Sequence, residues 1–271
     1  MQYKLIILQG VANLRYPFHF TVTLQQLRII RRDPWFLFIM FLMPLVVMPL
    51  FKRTMGLSLQ ASGYRGASGA EQVVPGQVVM FGFFVGGSAG FCLFREHGWQ
   101  TWDRLRASSA SSRALLIGFM IPWVVILTVF QTTLLTVGGL ALGLRLNGGS
   151  PFAEFAVVLG YSLCVVALIM LISSTLRTVN QVNAFQNVGA MAFAGLGGAL
   201  VPLSQLPGWA RAIGPFTPAY WAMKGHNEVF LNAGGLGDVA LPVGVLMGAA
   251  AVLMALATVR FRVDETKQFF A

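Results

Sequence analysis

The chain has 271 residues, of which 56% are apolar and only 10% are charged. An average globular domain carries about a quarter charged residues, so this sequence has too few charges to coat a soluble particle of its size. The composition nearly excludes a soluble enzyme and favours a chain that faces lipid.

Lysine and arginine together number 19 against 9 acidic residues, which gives a formal net charge of +10. In a soluble protein this balance would suggest nucleic acid. In a membrane protein it indicates basic residues held on the cytoplasmic side, beside anionic headgroups. We therefore expect membrane lipids, and no nucleic acid, as partners. Cys92 and Cys164 lie in apolar runs, so we expect small buried side chains rather than a disulfide or a metal pair.

The predicted elements begin in a cytoplasmic N-terminus, residues 1–33, with an amphipathic helix. Phe20, Leu24, Leu27 and Ile30 recur at helical spacing, and arginine and glutamine occupy much of the remaining surface. A helix of this kind can lie in the membrane interface with its arginines against anionic headgroups. The alternative is a simple polar sequence that flanks the first span.

Six segments are apolar over about 20 residues or nearly so, the length needed to cross about 30 Å of hydrocarbon. They are Pro34–Phe51, Val73–Phe94, Ala114–Leu144, Phe152–Leu176, Asn187–Pro202 and Val239–Val259. We predict an all-α membrane protein in which a six-span transmembrane domain, residues 34–260, is followed by a cytoplasmic tail, residues 261–271.

The orientation follows from the basic residues. An even number of spans places both termini on one side, and with cytoplasmic termini thirteen of the 19 basic residues lie on that side. Lys52 and Arg53 are an imperfection, although long side chains at the end of a span can reach the headgroups. High usage of glycine, alanine and arginine suggests a bacterium, so we predict a multi-pass protein of the bacterial plasma membrane.

No ionisable residue lies deep inside a predicted span, and Glu154 is near a boundary. Ion-coupled carriers usually bury such residues, so a carrier of that class is disfavoured. His19, His97 and His226 are scattered without metal-ligand spacing, and the sequence has no G-x-x-x-x-G-K-[S/T] phosphate loop. We expect no catalytic residue, cofactor or metal on this chain, which is therefore predicted not to be an enzyme.

The segment from Gly86 to Gly90, Gly-Gly-Ser-Ala-Gly, matches the nucleophile elbow of hydrolases. It lies in an uncharged span, however, and Gly82, Gly86 and Gly90 also form overlapping G-x-x-x-G spacings. These spacings are typical of closely packed membrane helices, and we favour that interpretation.

The longest predicted cytoplasmic loop joins the second and third spans. Trp99, Trp102 and Leu105 follow helical spacing beside Asp103 and Arg104. Exposed tryptophan together with arginine is the composition of protein-interface hot spots. The alternative, that both tryptophans belong to an interfacial aromatic belt, is equally compatible with the residues.

Four prolines interrupt the stretch 201–226 before the last span. The resulting helical pieces are too short to cross a bilayer, and broken backbone at membrane depth is tolerated only within protein or beside water. We therefore predict a re-entrant helical hairpin at about residues 203–228.

Amide side chains open the fifth predicted span, where Asn180, Asn183 and Asn187 fall on one helical face. Gln131 and Thr132 give a weaker signal of the same kind halfway along the third span. Buried amides can simply join helices, or they can line a polar vestibule. We treat these five residues as candidates for a substrate pathway.

This organisation resembles the membrane subunit of ABC type-2 transporters, the exporter permeases that include daunorubicin-resistance-type proteins. One stretch, from Arg95 to Ser108, is similar to the family's succession of Glu, Gly-Thr, an acid, Leu-Arg and a Ser/Thr-Pro turn. The other, Leu206-Pro-Gly-Trp-Ala-Arg followed by Pro215-Phe-Thr-Pro-Ala-Tyr-Trp, is similar to the family's segment before its last span. The first stretch departs from the pattern, because Trp99 and Gln100 separate Gly98 from Thr101 and the Ser/Thr-Pro reads Ser-Ser.

The resemblance implies that two permeases pair, as a homodimer or heterodimer, and that each docks on a separate ABC ATPase subunit. ATP and Mg would bind to the two ATPases and not to this chain. A cytoplasmic coupling helix at about 96–108 would sit in a groove of the ATPase. Its contact residues would be Glu96, Trp99, Trp102, Asp103, Arg104, Leu105 and Arg106.

The function implied by the resemblance is that of a permease subunit of an ATP-driven exporter. Its spans would form the translocation path for a hydrophobic or amphipathic substrate such as a drug, an antibiotic or a lipid-like molecule. The 22 phenylalanines and 12 methionines suit such cargo, although lipid-facing and core positions are the commoner use of these residues. The alternatives are a membrane scaffold without transport and an exporter permease for polysaccharide or lipid-linked glycan.

Overall fold

A computed structural model describes residues 35–98, 112–146 and 148–261, with the backbone alone for residues 96–98 and 112. The described residues form an all-α bundle. Its helices are α1 (Trp35–Ala61), α2 (Ala70–Gly87), α3 (Phe91–Gly98), α4 (Ser112–Leu142), α5 (Pro151–Thr175), α6 (Val179–Leu196), α7 (Gly208–Ile213), α8 (Pro218–Phe230) and α9 (Ala240–Arg260). The predicted helix of the N-terminus, most of the coupling helix and the tail beyond Phe261 lie outside the described residues.

Five helical segments are long and apolar enough to cross a membrane: α1, α2 with its continuation to Arg95, α4, α5 and α9. They correspond to the first, second, third, fourth and sixth predicted spans. The fifth, predicted at Asn187–Pro202, corresponds to α6, which begins earlier and has 18 residues. Because α6 carries five amide side chains in its first half, its composition does not identify it as a span, and the six-span count stays a prediction.

The first helix extends beyond the predicted apolar span. That span ends at Phe51, whereas the helix continues through Lys52 and Arg53 to Ala61, a length of 27 residues or about 40 Å at 1.5 Å per residue. The helix then turns back into α2 at a close approach, where Gly69 has a φ of 94° and its backbone lies against Gly56. A side chain at Gly69 would collide with the carbonyl oxygen of Lys52.

α2 is the central helix of the bundle. Almost all of its side chains are buried, and α1, α4, α5, α6 and α8 all pack against it. Its glycines allow this approach: a Cβ added at Gly86 would lie 2.6 Å from Cγ1 of Val165, and one at Gly82 would collide with the amide of Gln131. The predicted close packing along Gly82, Gly86 and Gly90 is confirmed.

Peripheral helices expose apolar side chains. α9 packs mainly against α5 and α8, and it leaves Met247, Val252 and Leu256 more than half exposed. α1 exposes a similar stripe that includes Val46 and Leu50. Apolar surfaces of this extent are unfavourable in water and fit the hydrocarbon of a bilayer. Cys92 and Cys164 are both buried, as predicted.

Between α6 and α9 the chain forms a 3-10 turn (Leu203–Gln205), α7, a second 3-10 turn (Gly214–Phe216) and α8. Ala219, near the start of α8, packs against Gly197 just after α6, and Gly225 packs against Val157 near the start of α5. Because α5 and α6 are joined by a short turn and run in opposite directions, the start of α5 and the end of α6 lie at one end of the bundle, the α8 end. α8 therefore stays at this end of the bundle and does not cross it. The re-entrant hairpin at about residues 203–228 stays a prediction.

Candidate functional site

Of the predicted coupling segment at about 96–108, the structure describes only the first residues, 96–98. Glu96 continues the backbone of α3, whereas Trp99, Trp102, Asp103, Arg104, Leu105 and Arg106 lie outside the described residues. The helix that leads into this segment, α3, contacts α4, because the indole Nε1 of Trp123 in α4 donates a hydrogen bond to Sγ of Cys92 in α3 over 2.8 Å.

The amide residues of α6 separate into two faces. Gln186 is buried, and its Nε2 donates to the carbonyl oxygen of Phe84 in α2 over 2.6 Å. Asn180, Asn183 and Asn187 are exposed on another side, and Nδ2 of Asn187 donates to the carbonyl oxygen of Asn183. Their predicted common face is present, and it points away from α2.

The start of α6 is fixed by local sequence. Thr178 caps the helix, since its side chain accepts from the backbone N–H of Gln181 while the Gln181 side chain accepts from the N–H of Thr178. This reciprocal capping box starts the helix well before the apolar run begins. It places the polar first half of α6 inside a helix rather than in a loop.

The exposed amide face of α6 needs surroundings that can form hydrogen bonds. A side-chain amide has more hydrogen-bonding groups than one intrahelical bond satisfies, and moving such groups from water to hydrocarbon without partners costs several kcal/mol, on the order of 4–8 in a solvent that cannot hydrogen-bond. The outer face of α6 is therefore unsuited to lipid contact at membrane depth. It fits a water-filled path or a polar contact with another protein.

Gln131 and Thr132 are adjacent in α4 but lie in different environments. Gln131 is fully buried, where its amide packs on Gly82 and its Oε1 accepts from Oγ of Ser162 over 3.3 Å. Thr132 is exposed and lines a cavity. The five pathway candidates are therefore not gathered in one cavity, since α2 packs between α4 and α6. Their part in transport stays a prediction.

That cavity, of about 280 Å³, lies between α4 and α5 at the α8 end. Apolar side chains form most of its wall, including Leu140, Phe155 and Phe230, together with the hydroxyl-bearing Thr132 and Thr136. The remaining lining residues are Leu135, Gly139, Leu144, Leu146, Pro151, Glu154 and Val158. Among the described lining residues, Glu154 is the single ionisable one.

Glu154 belongs to a buried ionisable pair. Its Oε1 lies 2.7 Å from Nδ1 of His226 in α8, and both side chains are almost completely buried. The position of Glu154 follows from local sequence, because Ser150 caps α5, Pro151 occupies its first turn and an acidic residue there complements the helix dipole. The ring of His226 stacks on that of Phe230 at 6.4 Å.

Sequence reasoning placed Glu154 at a boundary and His226 among unrelated histidines. The signal that could have joined them is chemical: an acid in the first turn of a very apolar helix needs a partner when it is buried. A histidine in the short helix predicted at the same end of the bundle is a natural candidate. The contact could not be predicted from local sequence patterns, because Glu154 and His226 are far apart in the sequence and lie on different helices.

Comparison with known proteins gives two findings. Residues 19–231 match the ABC-2 type transporter family, a region that contains α1 to α8. The linearmycin resistance permease protein LnrN of Bacillus subtilis (strain 168) is 30% identical over 171 residues, which cover 62% of this chain and 43% of that relative. The matched region thus spans less than half of the relative's length.

Proposed function

Because the chain belongs to the ABC-2 type transporter family, we propose that it is the permease subunit of an ATP-driven exporter. Family members are membrane subunits that work with ABC ATPase partners. In this proposal two permeases and two ATPases form the complex, and ATP and Mg bind to the ATPases alone. The chain supplies the path and converts ATPase motion into movement of its helices.

The observation that carries the proposal within this fold is the exposed amide face of α6. Asn180, Asn183 and Asn187 line one side of a helix that is packed on the central α2. A polar face of this kind is costly against lipid, so a second permease facing it would enclose a polar path between the two copies. An amphipathic substrate would move along amides on one side and the apolar side chains of neighbouring helices on the other.

The distribution of basic residues supports cytoplasmic termini. Arg95, Arg113, Arg177 and Arg260 all lie at the end of the bundle opposite α8, where α3 ends, α4 begins and α5 turns into α6. Six described basic residues lie at the α8 end, namely Lys52, Arg53, Arg65, Arg145, Arg211 and Lys224. With the nine basic residues of the sequence before α1, between α3 and α4 and after α9, the count is thirteen against six, and the positive-inside rule then favours the end opposite α8 as the cytoplasmic one. The coupling segment at about 96–108 would then face an ATPase in the cytoplasm.

We assign hydrophobic or amphipathic compounds as the substrate class. The relative is named for resistance to linearmycin. A permease that exports toxic amphipathic compounds would confer resistance of this kind. The apolar, phenylalanine- and methionine-rich helices are compatible with such cargo. The alternative function is that of a membrane scaffold without transport. The absence of a copurifying ATPase in the experiment below would support it.

The test is isolation of the tagged protein from its native membrane in mild detergent. We expect an ABC ATPase to copurify in stoichiometric amount and to hydrolyse ATP in a vanadate-sensitive manner. Substitution of Trp102 by alanine together with Arg104→Glu should release that ATPase while the permease still inserts. Recovery of the permease without a nucleotide-binding protein, under conditions that preserve another ABC complex, would contradict the proposal.

A further inference from the structure

Four residues join the end of α1 to the 3-10 turn that follows α6. Oγ of Ser58 donates to Oε1 of Gln205 over 2.7 Å, and Nε2 of Gln205 donates to the carbonyl oxygen of Ser58 over 2.9 Å. Just after the end of α1, Oγ of Ser62 lies 2.8 Å from Oγ of Ser204, which is hydrogen-bonding distance. We call these four residues the outer clasp.

The outer clasp is exposed to water. α1 is about 40 Å long at 1.5 Å per residue and exceeds the roughly 30 Å of hydrocarbon in a bilayer, so its last turn, which carries Ser58, extends past the hydrocarbon. Hydrogen bonds at an exposed position exchange with bonds to water and contribute little net stability. The clasp can therefore open at a low cost in free energy.

The chain just before the 3-10 turn is attached to α2 by buried contacts. Nε2 of Gln72, whose side chain is fully buried, donates to the carbonyl oxygen of Gly198 over 2.7 Å. Gly76 of α2 packs against the backbone of Ala199, since an added Cβ would collide with that carbonyl oxygen. A buried bond is costly to break because the separated groups have no water to bond. The end of α6 is therefore fixed to α2, whereas its attachment to α1 is breakable.

α1 and α6 both pack on α2 and leave one stripe of it partly open. Among residues 70–90 the partly exposed side chains are Met80, Phe84 and Ser88, spaced four residues apart, and the others are buried. Gln186 of α6 bonds to the carbonyl oxygen of Phe84, so this stripe runs beside α6. Because the outer clasp bridges α1 and the end of α6 at the α8 end of the bundle, it is placed to close that end.

We propose that the outer clasp is the outer gate of the permease. It is closed in the structure, and it opens when α1 moves away from the 3-10 turn, while the end of α6 stays on α2 through Gln72. Cargo that travels beside α6 then leaves at the α8 end. This inference rests on the proposed exporter function and adds to it the place where the path closes.

The test is a disulfide that locks the clasp in the full complex of permease and ATPase. Ser62→Cys with Ser204→Cys places two thiols where two hydroxyl oxygens lie 2.8 Å apart, which is close enough for a disulfide after a small adjustment. The native Cys92 and Cys164 are buried and stay in place. We expect the pair to form a disulfide in the resting complex, and its failure to form would overturn the contact.

The locked gate should stop transport. In vesicles, the oxidised double-cysteine protein should export an amphipathic dye about tenfold more slowly than the reduced protein, because release depends on the open state. Dithiothreitol should restore export, and each single-cysteine variant should export normally with or without oxidant. Ser58→Cys with Gln205→Cys is a second pair across the same contact and should give the same result. Equal export by the oxidised and reduced pairs would overturn the proposal.

Opening is measured by the rate of disulfide formation in the reduced pair. With the ATPase trapped by ATP and vanadate, we expect this rate to fall several-fold relative to the resting complex, because the two cysteines are then apart for much of the time. Equal rates in the two states would show that the clasp does not open in the transport cycle and would refute the gate.

A different cysteine pair controls for cross-linking as such. An added Cβ at Gly148 would lie 3.6 Å from Cβ of Ala233, within the range found in disulfides, and both residues are exposed. Gly148→Cys with Ala233→Cys joins the loop before α5 to the loop after α8, at the same end of the bundle but with no residue of the clasp. Its disulfide should leave export unchanged. Loss of export in this control would attribute the block to rigidity and would count against the gate.

The gate and the exporter function fail in different ways. If vesicles with the wild-type complex show no ATP-driven export, the exporter function fails and the gate fails with it. If the wild type exports and the oxidised Ser62→Cys/Ser204→Cys pair exports equally well, only the gate fails.

Discussion

Nζ of Lys52 in α1 lies 2.7 Å from the carbonyl oxygen of Leu142, the last residue of α4. The last carbonyls of a helix have no partner within the helix, and a positive charge near them is stabilising. In the predicted orientation Lys52 lies on the non-cytoplasmic side, where the positive-inside rule disfavours basic residues. Its contact with α4 gives this exception a structural reason.

We predict that Lys52→Met destabilises the bundle. Loss of the contact leaves the C-terminal carbonyl of α4 unpaired and should reduce the free energy of unfolding by about 1 kcal/mol. The measurement is thermal unfolding in detergent, followed by tryptophan fluorescence. Arg53→Met removes the same charge from the adjacent, exposed position and should have a much smaller effect. Equal losses in both variants would show that net charge, rather than the cap, is responsible.

A second prediction concerns the glycine face of α2. Gly86→Val places a branched side chain against Val165 and Leu127, which lie 2.6 and 3.1 Å from an added Cβ. Overpacking of this kind costs about 1–3 kcal/mol, so the yield of monodisperse protein and the unfolding midpoint should both fall. Gly248→Val, in α9, is the matched change at a position with open space around it. A comparable loss at Gly248 would mean that the branched side chain, and not the packing, is harmful.

The two faces of α6 allow a third prediction. Asn187→Leu removes an exposed amide and should lower export several-fold with little change in stability, if this face lines the path. Gln186→Leu removes the buried amide bonded to Phe84 and should instead lower stability by about 1–3 kcal/mol. Export is measured as protection of cells that express the permease with its ATPase against an amphipathic toxin. Full protection by Asn187→Leu would remove this face from the path.

The fourth prediction tests the coupling segment. Arg104→Glu reverses a charge proposed to contact the ATPase and should uncouple ATP hydrolysis from export while membrane insertion is retained. The readouts are ATPase rate and export in the same vesicles. Arg65→Glu, in the exposed turn between α1 and α2 at the α8 end, is the control and should leave coupling unchanged. Unaltered export by Arg104→Glu would cancel the assigned contact.

Local sequence predicted several helices closely. The third and fourth spans were expected at Ala114–Leu144 and Phe152–Leu176, and α4 and α5 are found at Ser112–Leu142 and Pro151–Thr175. Long uninterrupted apolar runs bounded by glycine, proline or arginine leave little choice of boundary. α6 differs because its amides interrupt the apolar run, while the capping box at Thr178 starts the helix within the polar stretch.

The sequence by itself determined the environment, the helical class and the family likeness, because composition and apolar periodicity act through local and solvent-averaged forces. Only the tertiary structure decided which polar groups share a site. Glu154 meets His226 because Gly225 lets α8 approach Val157 in α5, and Gln131 is buried because Gly82 makes room for its amide. Such pairings depend on the packing of helices that are distant in sequence, which no local pattern encodes.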